Sequence, residues 1–254
     1  MLLAIDIGNT NIVFGVYHGE TLIAHWRAAT EARRTADEYA VLLASLFAQQ
    51  ELSFSNIDGC ILSSVVPPLT PTFVELGERY LGTRPLVVGA GIKTGVRIRY
   101  DNPQEVGADR VVNALAAKRL YGAPAIVVDF GTATTFDCIS AEGDYLGGAI
   151  APGIGISVEA LFRATARLPR IELVLPERAI GTNTVQSMQS GVLYGYVGLV
   201  EGLVRRLKKE LGGQARVIAT GGLAGVIARQ TPVIEAVNPD LTLEGLRLIY
   251  EMNQ

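Results

Sequence analysis

The chain has 254 residues, 49% of them apolar and 19% charged, with a net charge of −3. A chain of this kind can bury one large core or two ordinary ones, and it is too apolar for the disordered class. The slightly acidic balance argues against a basic surface for nucleic acid or anionic lipid; no run is apolar for long enough to span a bilayer; and the two histidines, His18 and His25, leave little for a histidine-held metal or a serine–histidine hydrolase.

Residues 2–17, LLAIDIGNTNIVFGVY, form an apolar run that Asp6, Gly8, Asn9, Thr10 and Asn11 interrupt. No basic region precedes it, so no secretory signal is expected and a cytoplasmic protein is. The run reads as a hairpin, and the carboxylate in its middle needs a partner, because an isolated buried charge is costly. Residues 35–50 follow with apolar positions at helical spacing, opened by a capping box of Thr35 and Glu38. DGCILSSVVPP, from Asp58, reads as a strand ended by Pro67 and Pro68. A short helix over 70–82 should close at Gly82. PLVVG and GVRIRY read as further strands, and GADRVVNALAAKRLYG, 107–122, as a helix with Gly122 as its C-cap. GAGIKTG, 89–95, is not a Walker A loop, because Ile92 stands where that motif needs a glycine before its lysine. Cys60 and Cys138 each fall in or beside an apolar strand-like stretch and read as buried thiols in a reducing compartment, not as a disulfide.

From residue 123 the chain repeats its own beginning. With Asp6 set against Asp129, LAIDIGNTNIVF lies over IVVDFGTATTFD: apolar strand, Asp-x-Gly, small polar residues, strand. A second copy at this separation predicts two related domains, 1–121 and 122–254, with the boundary in YGAP at 121–124. In the second half, residues from Asn183 to Gly213 read as a long helix capped by Asn183 or Thr184, with Arg205, Arg206, Lys208 and Lys209 at its negative end. Gly191, Gly195, Gly198 and Gly202 fall on one stripe of it. Glycine costs about 1 kcal/mol relative to alanine in a helix, so something should pack closely there: the protein's own sheet, or a second subunit. ARVIATGGLAGVIA, 215–228, reads as strand, Thr-Gly-Gly turn and helix.

The duplicated hairpin has a chemical use. Glycine gives turn freedom and lets a ligand approach the backbone, and the following N–H groups converge on an anion. Asn9, Thr10 and Asn11, and Thr132, Thr134 and Thr135 in the second copy, add side-chain donors. A carboxylate beside a phosphate repels it unless a cation lies between, so Asp6 and Asp129 suit a divalent metal held through water, as Mg²⁺ prefers. Two such hairpins would grip a polyphosphate from both sides. The Gly-Gly turn after the later strand would let a flat base lie on the backbone.

Two phosphate hairpins and a Gly-Gly turn resemble the acetate and sugar kinase, Hsp70 and actin superfamily. Within it, DIGNTN, YDNPQEVGADR, DFGTATT, GGAIAPG, IGTNT, ATGGLA and NPDLTLEGL, in that order, resemble the type III pantothenate kinase family over nearly the whole chain. The resemblance implies an α/β fold of two related ribonuclease H-like domains with a nucleotide cleft between them. It implies phosphorylation of pantothenate by ATP, the opening step of coenzyme A synthesis, in a homodimer that uses Mg²⁺ with ATP and a monovalent cation, K⁺ or NH₄⁺. Carried over by position, Asp6, Ile7, Gly8, Asn9, Thr10, Asn11, Ile12 and Val13 form the first ATP loop, Thr132 touches ATP, and Asp129 sits at the monovalent cation. Tyr100, Gly107, Ala108, Asp109, Arg110 and Thr184 line the pantothenate pocket, with Asp109 as proton acceptor.

Physical chemistry supports an ionised Asp109, which lies at the positive end of its helix beside Arg110. Arg110 instead suits a clamp on the substrate carboxylate or on the phosphate. GGAIAPGIGIS, from Gly147, suits a substrate-side loop or close packing of helix on sheet. The competing functions are another small-molecule kinase or phosphatase of the same superfamily, and a non-enzymatic regulator that keeps the nucleotide site.

Overall fold

A computed structural model describes residues 1–254. The chain divides into two compact units, the first made of Met1–Arg97, Asp101–Ala116 and Leu241–Gln254, the second of Ile98–Tyr100 and Ala117–Asp240.

The first unit holds β1 (Leu2–Ile7), β2 (Asn11–His18), β3 (Thr21–Ala29), α1 (Ala36–Ala48), β4 (Gly59–Ser64), α2 (Leu69–Leu76) and β5 (Leu86–Val87). Its sheet runs β3-β2-β1-β4-β5, with β1 antiparallel to β2 and parallel to β4. β1 is apolar on nearly every residue because both faces of the sheet are covered. On one face Leu3, Ile5, Ile7, Phe14 and Leu62 pack under Tyr39, Leu43 and Phe47 of α1 and Phe73 of α2. On the other lies the C-terminal helix, Leu241–Met252. Glycine makes room for it: a Cβ at Gly15 would stand 2.8 Å from Leu243 Cδ1, and one at Gly59 would overlap the Tyr250 hydroxyl. Thr35 caps α1 with Glu38 in the expected box, and α2 continues through a π turn, Gly77–Leu81, to a left-handed Gly82 at φ 65°. α3 (Ala108–Tyr121) begins in this unit and ends at Gly122, φ 86°.

The second unit holds β6 (Ala125–Phe130), β7 (Ala133–Ile139), β8 (Tyr145–Pro152), α4 (Ile154–Ala164), α5 (Thr184–Glu210), β9 (Arg216–Thr220), α6 (Ala224–Ala228) and β10 (Ala236–Val237), which makes the C-terminal helix α7. Its sheet order is β10-β9-β6-β7-β8. From the other end that is the first sheet again: a three-strand meander, then two parallel strands beyond its first member. Ile126, Val128, Phe136 and Cys138 pack beneath Leu193, Val197, Val200 and Val204 of α5. Both cysteines are buried and neither forms a disulfide.

Three expectations need correction. A single boundary at 121/122 does not describe the contacts: they break near Ala116 and return α7 to the first unit, because β1, β2 and β4 need a cover on their second face. GVRIRY is not a strand; only Ile98 bridges, in parallel, to Tyr145. GGAIAPGIGIS is no loop but the end of β8 and the start of α4. The Thr-Gly-Gly turn leads into a helix as expected, one of five residues.

Candidate active site

In the first unit, Asp6 is the last but one residue of β1, in register with Val13 of β2 and Ser63 of β4. The hairpin turn is Gly8-Asn9-Thr10, with the Gly8 N–H donating to the Asn11 carbonyl at 3.0 Å. Thr30, just past β3, braces it: its hydroxyl donates to the Gly8 carbonyl at 2.6 Å and its N–H to the Thr10 carbonyl at 3.0 Å. Asn9 and Thr10 are left exposed, Asn11 half-buried, and Ile7 and Ile12 anchor the turn in the core. Gly8 does not need a left-handed backbone; space is what it supplies, since a Cβ would stand 3.0 Å from the Asn11 oxygen.

The head of α3 belongs to the same end of this sheet. A Cβ on Gly107 would lie 2.5 Å from Asp109 Oδ1 and 3.5 Å from Val65 Cγ1, and the Val65 N–H donates to the Ile7 carbonyl at 3.0 Å. Gly107, Ala108, Asp109 and Arg110 are therefore gathered just beyond the ends of β1 and β4, where the strand carrying Asp6 also ends. Asp109 Oδ1 accepts the Arg110 N–H at 2.8 Å. Burial raises the Asp109 pKa above the usual aspartate value, against the opposing pull of that N–H and the Arg110 charge. Arg110 favours the ionised form, as expected, and desolvation outweighs it.

In the second unit, Asp129 occupies the equivalent strand end, in register with Thr135 of β7 and Thr220 of β9. The Thr-Gly-Gly turn presses on it: at Gly221, φ 89°, a Cβ would stand 2.6 Å from Asp129 Oδ1. Gly131 and Thr132 form the exposed turn. Gly153, ahead of α4, packs on that turn, where a Cβ would come 2.7 Å from the Gly131 oxygen. Close packing, the second of the two readings of GGAIAPGIGIS, holds at this glycine. It also sets the uncapped positive end of α4 beside Thr132, which favours an anion at the turn.

Tyr100 is 37% exposed, and its ring lies on the backbone of Gly147, where a Cβ would stand 3.1 Å from Tyr100 Cε2. Thr184 is the first residue of α5. Asn183 is the cap, accepting the Gln186 N–H at 2.9 Å, while Gln186 Oε1 accepts from the Thr182 N–H at 3.1 Å. IGTNT is thus a helix start that leaves the Thr184 side chain exposed, at the rim of a groove of about 990 Å³ lined also by Ser157, Gly191, Gly195 and Leu199. Nothing in the chain comes within 4 Å of a Cβ at Gly191, Gly195 or Gly198. The stripe does not pack on the protein's own sheet; the opposite face of α5 does that.

No cluster of three or more His, Cys, Asp or Glu side chains is present. A lone carboxylate at each hairpin fits a cation bound chiefly by phosphate oxygens and water, the usual state of nucleotide-borne Mg²⁺. Sequence reasoning missed Thr30 and did not single out Gly153 within GGAIAPG. Thr30 follows a strand the pattern left unassigned, and Gly153 shows its purpose only once α4 meets the turn.

The chain is similar to known proteins over its whole length. The family profile described as type III pantothenate kinase matches residues 2–206. A type III pantothenate kinase of Moorella thermoacetica is 58% identical over 253 residues, covering 100% of both chains. Among solved structures, a conserved protein described as a Baf family transcriptional activator from Campylobacter jejuni superposes with a TM-score of 0.65 at 20% identity, over 99% of this chain and 98% of that one. An inorganic polyphosphate/ATP-glucomannokinase from an Arthrobacter strain does so with a TM-score of 0.53 at 15% identity, over 100% and 99%. At such identities the solved structures establish the fold alone, an α/β fold of two units of the sugar kinase, Hsp70 and actin type. The profile match and the full-length identity establish more: this chain belongs to the type III pantothenate kinase family.

Proposed function

We propose that this chain transfers the γ-phosphoryl group of ATP to the primary hydroxyl of pantothenate, the first step of coenzyme A synthesis. The observation that carries the reading is Asp109, a carboxylate of raised pKa set beyond the strand ends that also carry Asp6. Such a group takes the hydroxyl proton as the oxygen attacks phosphorus, a contribution of about 10²–10⁴ in rate. The turn from Asp6 to Val13, and the turn of Asp129 and Thr132, serve as phosphate cradles with exposed donors. Asp6 would hold Mg²⁺ carried with ATP through water, and that ion would neutralise charge on the transferring group. Asp129 is the residue for a monovalent cation, K⁺ or NH₄⁺, and Arg110 supplies positive charge beside the reacting groups. Tyr100, Gly107, Ala108 and Thr184 contact pantothenate. The open glycine face of α5 is the contact of a homodimer, since the chain leaves it uncovered. The cytoplasm is the compartment, in keeping with two buried thiols outside any disulfide.

A coupled ADP-release assay tests the activity. ADP should appear only with pantothenate, one equivalent per phosphorylated product. Nucleotide binding without turnover would make the protein a regulator, and turnover on a sugar alone would make it another kinase.

A further inference from the structure

The second unit buries a carboxylate that the reaction as described does not use. Asp137, in the middle of β7, is 0% exposed. One oxygen, Oδ2, accepts the Thr135 hydroxyl at 3.2 Å, and Thr135 is the cross-strand partner of Asp129. The other, Oδ1, accepts the Tyr145 hydroxyl at 3.0 Å. Tyr145 is itself fully buried, and its ring centre lies 6.4 Å from that of Tyr100, at an interplanar angle of 51°. Its carbonyl accepts the Arg99 N–H at 2.8 Å, beside the single bridge at Ile98. Arg99 Nε donates to Asp144 Oδ2 at 2.5 Å. The strap Ile98–Tyr100 therefore joins the second unit through Asp144 and Tyr145, while its chain neighbours on both sides belong to the first.

A three-residue strap with one bridge has no ladder to fix its side chains. Tyr100 is oriented instead by the ring of Tyr145 on one side and the bare backbone of Gly147 on the other. A strand held only for stability would do as well or better with an apolar residue at position 137, because a buried charge brings a desolvation cost. From this geometry we infer that Asp137 and Tyr145 are positioning residues. Asp137 locks the Tyr145 ring as the seat of Tyr100 and, with its other oxygen, holds the Thr135 hydroxyl beside Asp129, so that one buried group ties the aromatic wall of the alcohol substrate to the second hairpin. The inference rests on the reading that Tyr100 lines the pantothenate pocket.

The test is steady-state kinetics on the full chain, with melting temperature recorded for each variant. Tyr145→Phe keeps the ring and removes the hydroxyl. It should raise the pantothenate KM roughly fivefold or more, leaving the ATP KM within about twofold. In a Tyr100→Ala background the same change should add nothing further, because its route is gone. A folded Tyr145→Phe enzyme with a pantothenate KM within about twofold of the parent, or with both KM values rising together, overturns the inference. If Tyr145→Phe does not fold, Asp137→Asn carries the test. It keeps the shape and weakens the same hydrogen bond, so the pantothenate KM should rise, and an unchanged value overturns the inference. Tyr100→Ala by itself separates the two levels: an unchanged pantothenate KM there removes Tyr100 from the pocket and sinks both readings, whereas a raised KM beside a parent-like Tyr145→Phe sinks only the positioning role.

Discussion

Asp109 combines two features that pull against each other. It sits at a helix start and accepts a backbone N–H, which favour the anion, yet burial raises its pKa overall. A base must be unprotonated to act, so the acid limb of kcat/KM should lie above the ordinary aspartate value of about 3.9. The same shift acts on stability with the opposite sense. A folded pKa above the unfolded one makes ionisation oppose folding, so the unfavourable contribution is absent at low pH and develops as pH rises through the folded value. Asp109→Asn should therefore lower kcat by about 10²–10⁴, while ATP binding, measured by calorimetry, is retained and the melting temperature at neutral pH does not fall. Near-parent kcat, or a cold-shifted melt, would remove Asp109 from the role of buried base. Burial, the largest influence on its pKa, was not legible in the sequence, because desolvation depends on what folds over a side chain and not on its chain neighbours.

Among the elements, α5 shows how far periodicity reaches. Length, stripe and basic end were all legible, since they follow from residue spacing alone. Which face would be covered was not. Met188, Leu193, Val197, Val200 and Val204 are buried, and the glycine face is open. Gly195→Leu separates the consequences. In the isolated chain a Cβ at this position meets nothing within 4 Å, and replacing a helical glycine should stabilise by about 0.5–1 kcal/mol. In the proposed homodimer the same side chain intrudes on the contact. Sedimentation velocity should show dissociation toward monomer, with an unfolding midpoint in denaturant at or above the parent's for the monomer. A fully dimeric variant would exclude this face as the interface. The strand after the first hairpin, β3, was not foreseen, because its nine residues alternate half-buried and exposed positions that blend apolar with charged side chains.

For the whole molecule, the decisive feature is the return of α7. Leu241, Leu243, Leu246 and Ile249 are all buried, against a sheet formed more than 170 residues earlier in the chain. Each such side chain contributes about 1.5–3 kcal/mol on burial, so the four together rival the roughly 5–15 kcal/mol of a typical fold. A chain truncated after Asp240 should lose its cooperative melt in the first unit, visible as lost amide protection in β1, β2 and β4 by hydrogen exchange, while β6, β7 and β9 stay protected. Equal protection in both units would show that α7 is dispensable.

The sequence by itself determined the duplication, the two acidic hairpins, the helix caps and the family, because these rest on local geometry and on residue order. Tertiary structure decided the rest: that α7 closes the first unit, that residues 98–100 belong to the second, that Gly221 and Gly153 support the second hairpin, and that Asp109 is desolvated. Each of these is a contact between residues far apart in the chain, and which distant surfaces meet is settled by packing the core of each unit, not by any stretch of the chain read alone.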